Sequence, residues 1–172
     1  MGIRTGTVTE QGQDSGPPDR FGTRPVLIAD LTRALQPDGP RIMLALYDIG
    51  GFRQYVLDYG RLAGHDLLAR VGDRLVEVID QPASFYGPRY AEFAAITNAP
   101  VALDQFLAAT ARALARGFAE FNLTVAFGAV TLPDEASEPL EALRIANERL
   151  SLNTRAPRKR ERRSIPRAHL DR

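Results

Sequence analysis

Apolar positions recur along the chain with two different spacings, one typical of helices and one typical of strands. Leu27, Leu31 and Leu35 are spaced four residues apart within residues 24–36, which predicts a short amphipathic helix. Residues 41–52 (RIMLALYDIGGF) are almost continuously apolar and too few for a typical helix, so a strand buried on both faces is predicted there. The patterned part of the chain thus begins with a helix and a central strand.

The next segments predict a broken helix followed by a hairpin. Residues 52–59 have the spacing of a short helix, Gly60 interrupts it, and residues 62–79 form a longer amphipathic pattern. Two extended stretches near 83–88 and 91–97 flank a turn and predict a β-hairpin.

Three further elements complete the order. Helices are predicted over 100–118 and 139–150, and a strand over 121–132. The strand alternates so that one face carries Leu123, Val125, Phe127 and Ala129. No internal repeat appears, and the order of helices and strands predicts an α/β (α+β) fold in which helices pack on a mixed sheet.

Composition excludes several classes of site and location. The chain has no cysteine and only two histidines, which excludes disulfides, thiolate zinc sites and a histidine metal cluster. No apolar run approaches the roughly 18 residues that a membrane span needs, and the N-terminus lacks the apolar centre of a secretion signal. A single cytoplasmic domain is therefore expected.

The two ends differ from the middle in charge and polarity. Residues 1–20 are polar and aperiodic, which predicts a flexible leader. The last eighteen residues carry a net charge of +6, so residues 1–154 carry −5 of the total of +1. The cationic residues of this tail are Arg155, Arg158, Lys159, Arg160, Arg162, Arg163, Arg167 and Arg172. Residues 155–172 are interpreted as a flexible tail, with contact to nucleic acid, an acidic protein or anionic lipid as the alternative.

Two segments resemble the GGDEF domain of diguanylate cyclases. Residues 47–68 (YDIGGFRQYVLDYGRLAGHDLL) are similar to that family's stretch of Asp-x-Asp, Phe-Lys, Asn-Asp, Gly-His and Gly-Asp, and residues 89–93 (RYAEF) fall at its Gly-Gly-Asp/Glu-Glu-Phe signature. The matching residues of the first segment are Asp48, Ile49, Phe52, Gly60, Gly64 and Leu68. The resemblance covers about residues 21–158. It implies a palm-like nucleotide cyclase fold, with a mostly antiparallel mixed sheet of about five strands, and places the domain at residues 21–154.

The resemblance also implies where GTP and its metal ions would bind, and these positions are degenerate. The family's metal ligands correspond to Asp48, the Ile49 carbonyl and Ala91, whose side chain has no oxygen. Glu92 follows as a substitute ligand, but alternation along a strand is expected to turn it away from Asp48. No resident cofactor is expected, and Mg²⁺ would bind only if this remnant site still holds a nucleotide.

The guanine and phosphate positions are degenerate as well. The guanine contacts would come from Val56 and His65, and valine cannot hydrogen-bond a base; His65 is expected to be an exposed residue at a helix start. Arg89 and Tyr90 replace the signature glycines, which are the residues that let a backbone approach phosphate. The closing phosphate contacts reduce to Arg158, because Thr154 stands where the family has lysine.

The product-inhibition motif of the family is also missing. Its Arg-x-x-Asp pattern would map to Asp80 and Ala83, which do not match it. Binding of GTP and of cyclic di-GMP is therefore not expected, and the remnant pocket residues are Asp48, Ile49, Gly60, Gly64, His65, Arg89, Tyr90, Ala91, Glu92 and Arg158.

Three functions remain open from the sequence. The first is a catalytically inactive GGDEF-like module of bacterial signalling that acts through a protein partner or as a homodimer, with its input arriving from another chain. The second is a nucleotide-binding sensor, or a residual cyclase making cyclic di-GMP from GTP, built on Asp48, Glu92, His65 and Arg158. The third is nucleic-acid binding through the basic tail. Tyr90 is either part of a binding surface or a packed turn residue.

Overall fold

The computed structural model describes residues 21–155, so the predicted leader and residues 156–172 of the predicted basic tail, including Arg158, lie outside the described residues. The elements follow in the order α1 (Arg24–Ala34), β1 (Ile42–Gly50), α2 (Phe52–Val78), β2 (Ala83–Arg89), β3 (Glu92–Asn98), α3 (Leu103–Gly117), β4 (Thr124–Leu132) and α4 (Pro139–Arg155). A single 3₁₀ turn, Ala119–Phe121, joins α3 to β4. Each predicted helix and strand is present, and α4 continues through Arg155, which the sequence had assigned to the tail. Within residues 21–155, every helix is too short or too polar to span a membrane.

The sheet has the strand order β2-β3-β1-β4, with antiparallel pairing throughout. Residues 21–155 thus form four strands where about five, in a mixed sheet, were predicted. Side chains of α4, and Glu135 in the loop before it, cap the outer edge of β4. Asn153 accepts a hydrogen bond from the Phe127 amide at 3.0 Å, and Arg149 donates to the Ala129 carbonyl at 2.7 Å. Capping of this kind satisfies backbone groups that a neighbouring strand would otherwise satisfy.

Each face of the sheet carries its own apolar core. One face packs under α2 and α3, and the other under α1 and α4. Strand β1 contributes Met43, Ala45 and Tyr47 to the first core and Leu44 and Leu46 to the second, which confirms a strand buried on both faces. The predicted inward face of β4, Leu123 to Ala129, lies in the α2–α3 core as expected.

Helix α2 bends at Gly60, as the sequence predicted. Gly60 has φ of 87° and ψ of 168°, a conformation that side chains on Cβ disfavour. Beyond the bend, Gly64 lies so close to Val56 that a Cβ added to it would stand 2.6 Å from the valine Cγ2. The two halves of α2 therefore pack on each other through these two residues.

Residues before α1 cover the outer edge of β2. The Gly22 amide donates to the Phe85 carbonyl at 2.8 Å, and the Gly87 amide donates to the Gly22 carbonyl at 3.0 Å. The buried Tyr86 hydroxyl donates to Asp30 of α1 at 2.7 Å. These bonds fix α1 over one end of the hairpin.

Candidate functional site

The β2–β3 hairpin closes with a two-residue turn. Arg89 pairs with Glu92, which leaves Tyr90 and Ala91 as the turn residues. Tyr90 has φ of 59°, the left-handed region that costs a residue with a Cβ roughly 1–2 kcal/mol. Its side chain is 85% exposed, so the interpretation of Tyr90 as a packed turn residue is wrong.

A β-bulge in β2 sets the register of this turn. The pairing shifts between Tyr86 and Arg89, and Gly87 at the bulge has φ of 109°. A Cβ at Gly87 would stand 2.9 Å from the Glu92 carbonyl oxygen, so glycine is required by both conformation and space. The bulge therefore decides which residues of the turn face each side of the sheet.

Asp48 and Glu92 lie directly opposite each other in the β1–β3 ladder. Opposed residues of an antiparallel pair project from the same face, which here is the face of α1 and α4. The expectation that strand alternation separates Glu92 from Asp48 is therefore wrong, because the alternation separates Ala91 from both of them.

Ala91 belongs to the other side of the sheet. Its side chain is 9% exposed and packs in the α2–α3 core, and its carbonyl accepts a hydrogen bond from the Ile49 amide at 3.1 Å. The third signature position thus supplies packing and one ladder bond. It cannot supply a carboxylate to the face that carries Asp48.

The surroundings of Glu92 disfavour the charged form of its carboxyl group. Burial raises the pKa of Glu92, and repulsion by the Asp48 carboxylate raises it further, while Arg89 and Arg24 act in the opposite direction. A positive group brought near the Asp48–Glu92 pair would relieve this repulsion.

The pair fits only part of a metal centre. Among the described residues no group of three or more histidine, cysteine, aspartate or glutamate side chains is arranged to hold a metal ion. Of the ligand set that the resemblance implies, Asp48 and the Ile49 carbonyl are present, and the third position, Ala91, has no side-chain oxygen. The substitute ligand Glu92 lies on the same face as Asp48. The residues present therefore do not fit the ligand set that the resemblance implies, because its third position has no side-chain oxygen.

The remaining remnant positions lie on helices. His65 is exposed and lies within α2, several residues beyond the bend, so the prediction of an exposed histidine is confirmed while its place at a helix start is corrected. Val56 and Gly64 pack on each other, which gives both a structural role. The Thr154 hydroxyl donates to the Leu150 carbonyl within α4 at 2.9 Å.

Beside Glu92 lies an open cleft that sequence reasoning missed. It runs between the start of α1, the hairpin and α4, and its two adjoining parts have volumes of about 300 Å³ and 350 Å³. Glu92, Arg24 and Arg89 line both parts, and Arg144 of α4 lines the smaller one. Arg24 and Arg144 stand near opposite ends of the described chain, so only the topology brings them together.

No protein-family model matches the sequence, and no curated protein matches it. Among solved structures, the GGDEF domain of DgcB from Caulobacter crescentus, in complex with c-di-GMP, superposes with a TM-score of 0.69 at 19% identity, covering 87% of this chain and 95% of that one. The GGDEF domain of YfiN (TpbB) from Pseudomonas aeruginosa gives a TM-score of 0.67 at 18% identity, covering 80% of this chain and 87% of that one.

A third neighbour was solved with another protein bound. Diguanylate cyclase SiaD from Pseudomonas aeruginosa, in complex with its activator SiaC, gives a TM-score of 0.64 at 16% identity, covering 80% of this chain and 56% of that one. Two of these neighbours are GGDEF domains and the third is a diguanylate cyclase, so the chain has the fold of a GGDEF domain. The resemblance first drawn from Asp48, Gly60 and the RYAEF segment is confirmed at the level of the fold.

Proposed function

We propose that this chain is a catalytically inactive GGDEF-fold module that works in bacterial cyclic di-GMP signalling through contact with other protein chains. The observation that carries this proposal is the position of Ala91. The position where the resemblance implies the third metal ligand has no oxygen in its side chain and packs in the core on the other side of the sheet from Asp48. Phosphoryl transfer depends on metal ions that neutralise the developing charge, so a site without that ligand is poorly equipped for it.

The base and phosphate positions support the same conclusion. Val56 is committed to packing against Gly64, and it offers no hydrogen bond to a purine. Tyr90 in the turn and Arg89 at the end of β2 place side chains where glycine would leave the backbone open to phosphate. The chain keeps an apolar core on each side of the sheet while its positions for metal, base and phosphate contacts are altered. This combination favours a protein that keeps the fold and uses it for contact with other chains.

Regulation by protein contact has a parallel among the structural neighbours, because SiaD was solved with its activator SiaC. In the present chain the partner is either a second protein or a second copy of the chain. The cytoplasm is the expected location.

The test is a direct search for nucleotide binding and turnover. Calorimetry with GTP, ATP and cyclic di-GMP, each in Mg²⁺ and in Mn²⁺, is expected to give no binding, and incubation with GTP is expected to give no cyclic dinucleotide. Cyclic di-GMP formation by the purified chain that disappears in Asp48→Ala would overturn the proposal.

One observation favours a second function, a nucleotide sensor that binds without turnover. Asp48 and Glu92 share a face, and Mg²⁺ commonly binds through one or two carboxylates together with the phosphates of a nucleotide. If the second function holds, GTP binding will require the metal ion and will be lost in both Asp48→Asn and Glu92→Gln. The absence of binding by every nucleotide and metal removes this candidate.

A further inference from the structure

The cleft between α1 and α4 has an apolar floor. Leu27 of α1, Leu46 of β1, Ala94 of β3 and Leu143 of α4 line it. Leu140, a residue that is 64% exposed, also lines the smaller part of the cleft. Aliphatic side chains that line an open concave surface can receive an apolar side chain of a partner.

The rim of the cleft is basic. Arg24, Arg89 and Arg144 are all exposed there, and Glu92 is the one acidic side chain that lines the cleft within residues 21–155. Arg144 also forms a salt bridge with Glu148 at 2.7 Å, whereas the salt bridges within residues 21–155 include neither Arg24 nor Arg89. The positive charges of Arg24 and Arg89 on this rim stand on a body whose net charge over residues 1–154 is negative.

We propose that the cleft between α1 and α4 docks an acidic peptide segment of a partner protein, with a bulky aliphatic or aromatic side chain on the apolar floor and carboxylates against Arg24 and Arg89. Arginine beside an apolar pocket is a combination enriched at the energetically important centres of protein interfaces. The Glu92 carboxylate accepts a hydrogen bond from a backbone N–H of the docked segment, which gives the one acidic group of the lining a role among the arginines. A concave cleft suits a peptide better than the flat surface of a membrane.

This inference rests on the proposed function, because it names the surface and the partner chemistry of the same contact module. The probe is a fluorescein-labelled nonapeptide with a central Leu-Phe pair flanked by glutamates, measured by fluorescence anisotropy with the full chain. We expect binding that weakens at least tenfold in Arg24→Gln/Arg89→Gln, at least threefold in Leu140→Ser, and strongly with added salt. Arg112→Gln, an exposed arginine of α3 over the other face of the sheet, is the matched control and is expected to bind normally.

Several results would overturn the docking proposal. The proposal fails if the probe does not bind, or if the arginine variants bind it as tightly as the unmodified chain. It also fails if a peptide with lysines in place of the glutamates binds as tightly as the probe, or if GTP displaces the probe. The proposal would also be contradicted if the unmodified chain bound phosphatidylserine vesicles but not the peptide, and the arginine variants lost the vesicle binding. That result would identify the cleft as a membrane-binding surface. If the probe does not bind and the chain does not turn over GTP, the docking proposal fails and the proposed function stands. If the chain synthesises a cyclic dinucleotide, the proposed function fails whether or not the probe binds.

Discussion

Asp48 and Glu92 occupy opposed positions of the β1–β3 ladder, so two carboxylates share one half-buried site at the end of the sheet. Such an arrangement disfavours folding unless a cation or a proton is present. The chain nevertheless keeps both residues beside Arg24 and Arg89, whose charges partly offset the repulsion at Glu92.

Glu92→Gln is therefore expected to raise the stability of the protein near neutral pH. The native state raises the pKa of Glu92 above its ordinary value of 4.5, so the folded form binds the proton more tightly than the unfolded form. The stability of the unmodified protein then falls as pH rises through the interval between 4.5 and the raised pKa. Urea unfolding across pH should show the advantage of Glu92→Gln at neutral pH and its disappearance below 4.5.

Asp66→Asn serves as the control for this series, since Asp66 is exposed on α2. That variant should follow the unmodified protein at each pH. If Glu92→Gln proves less stable at neutral pH, attraction from Arg24 and Arg89 outweighs burial and the repulsion from Asp48.

The elements of this fold were readable from the sequence because their signals are local. The continuous apolar run of β1, the glycine at the bend of α2 and the alternation of β4 depend on periods that any short stretch displays. The face of the sheet that carries Glu92 could not be predicted in the same way. A one-residue change of register moves every side chain of a strand to the other face, and here the bulge at Gly87 and the turn at Tyr90 set that register.

The arginine cleft was beyond sequence reasoning for a related reason. From the sequence alone, Arg24 and Arg144 would each be interpreted as an arginine on the solvated face of a helix. They line one cleft because α1 and α4 pack on the same side of the sheet. Sites assembled from distant helices require the topology before their charges can be added together.

The contact of α4 with β4 depends on the absence of a side chain at Gly128. A Cβ at this position would stand 2.2 Å from both the Ala146 carbonyl oxygen and the Leu150 amide nitrogen, which are backbone atoms. Gly128→Ala should therefore displace α4 and cost about 1–3 kcal/mol of unfolding free energy, measured by urea denaturation. Gly117→Ala is the matched control, because its Cβ would meet Arg74 only at 3.7 Å or more. Equal stability of the two variants would show that α4 is not held this close to the sheet.

The bond between Tyr86 and Asp30 is expected to fix α1 to the hairpin. Tyr86→Phe removes a 2.7 Å hydrogen bond to a carboxylate that also accepts one from Arg33 at 2.6 Å. We expect a loss of roughly 1–3 kcal/mol in thermal or urea unfolding, because the bond is part-buried and one partner is charged. Tyr59→Phe, at a tyrosine that is 63% exposed, should change stability by less than about 0.5 kcal/mol. A Tyr86→Phe protein as stable as the parent would mean that water replaces the hydroxyl at Asp30.

The turn at Tyr90 gives a test of how the hairpin is used. Because Tyr90 combines a left-handed backbone with an exposed ring, its replacement by glycine relieves strain without removing core contacts. The relief of roughly 1–2 kcal/mol is partly offset by the greater freedom of glycine in the unfolded chain, so Tyr90→Gly should gain up to about 1 kcal/mol in urea unfolding. Tyr90→Ala keeps the strained backbone and should show no such gain. If Tyr90→Gly instead destabilises the protein, the ring contributes packing within the chain, and its exposure would no longer mark Tyr90 as available to a partner.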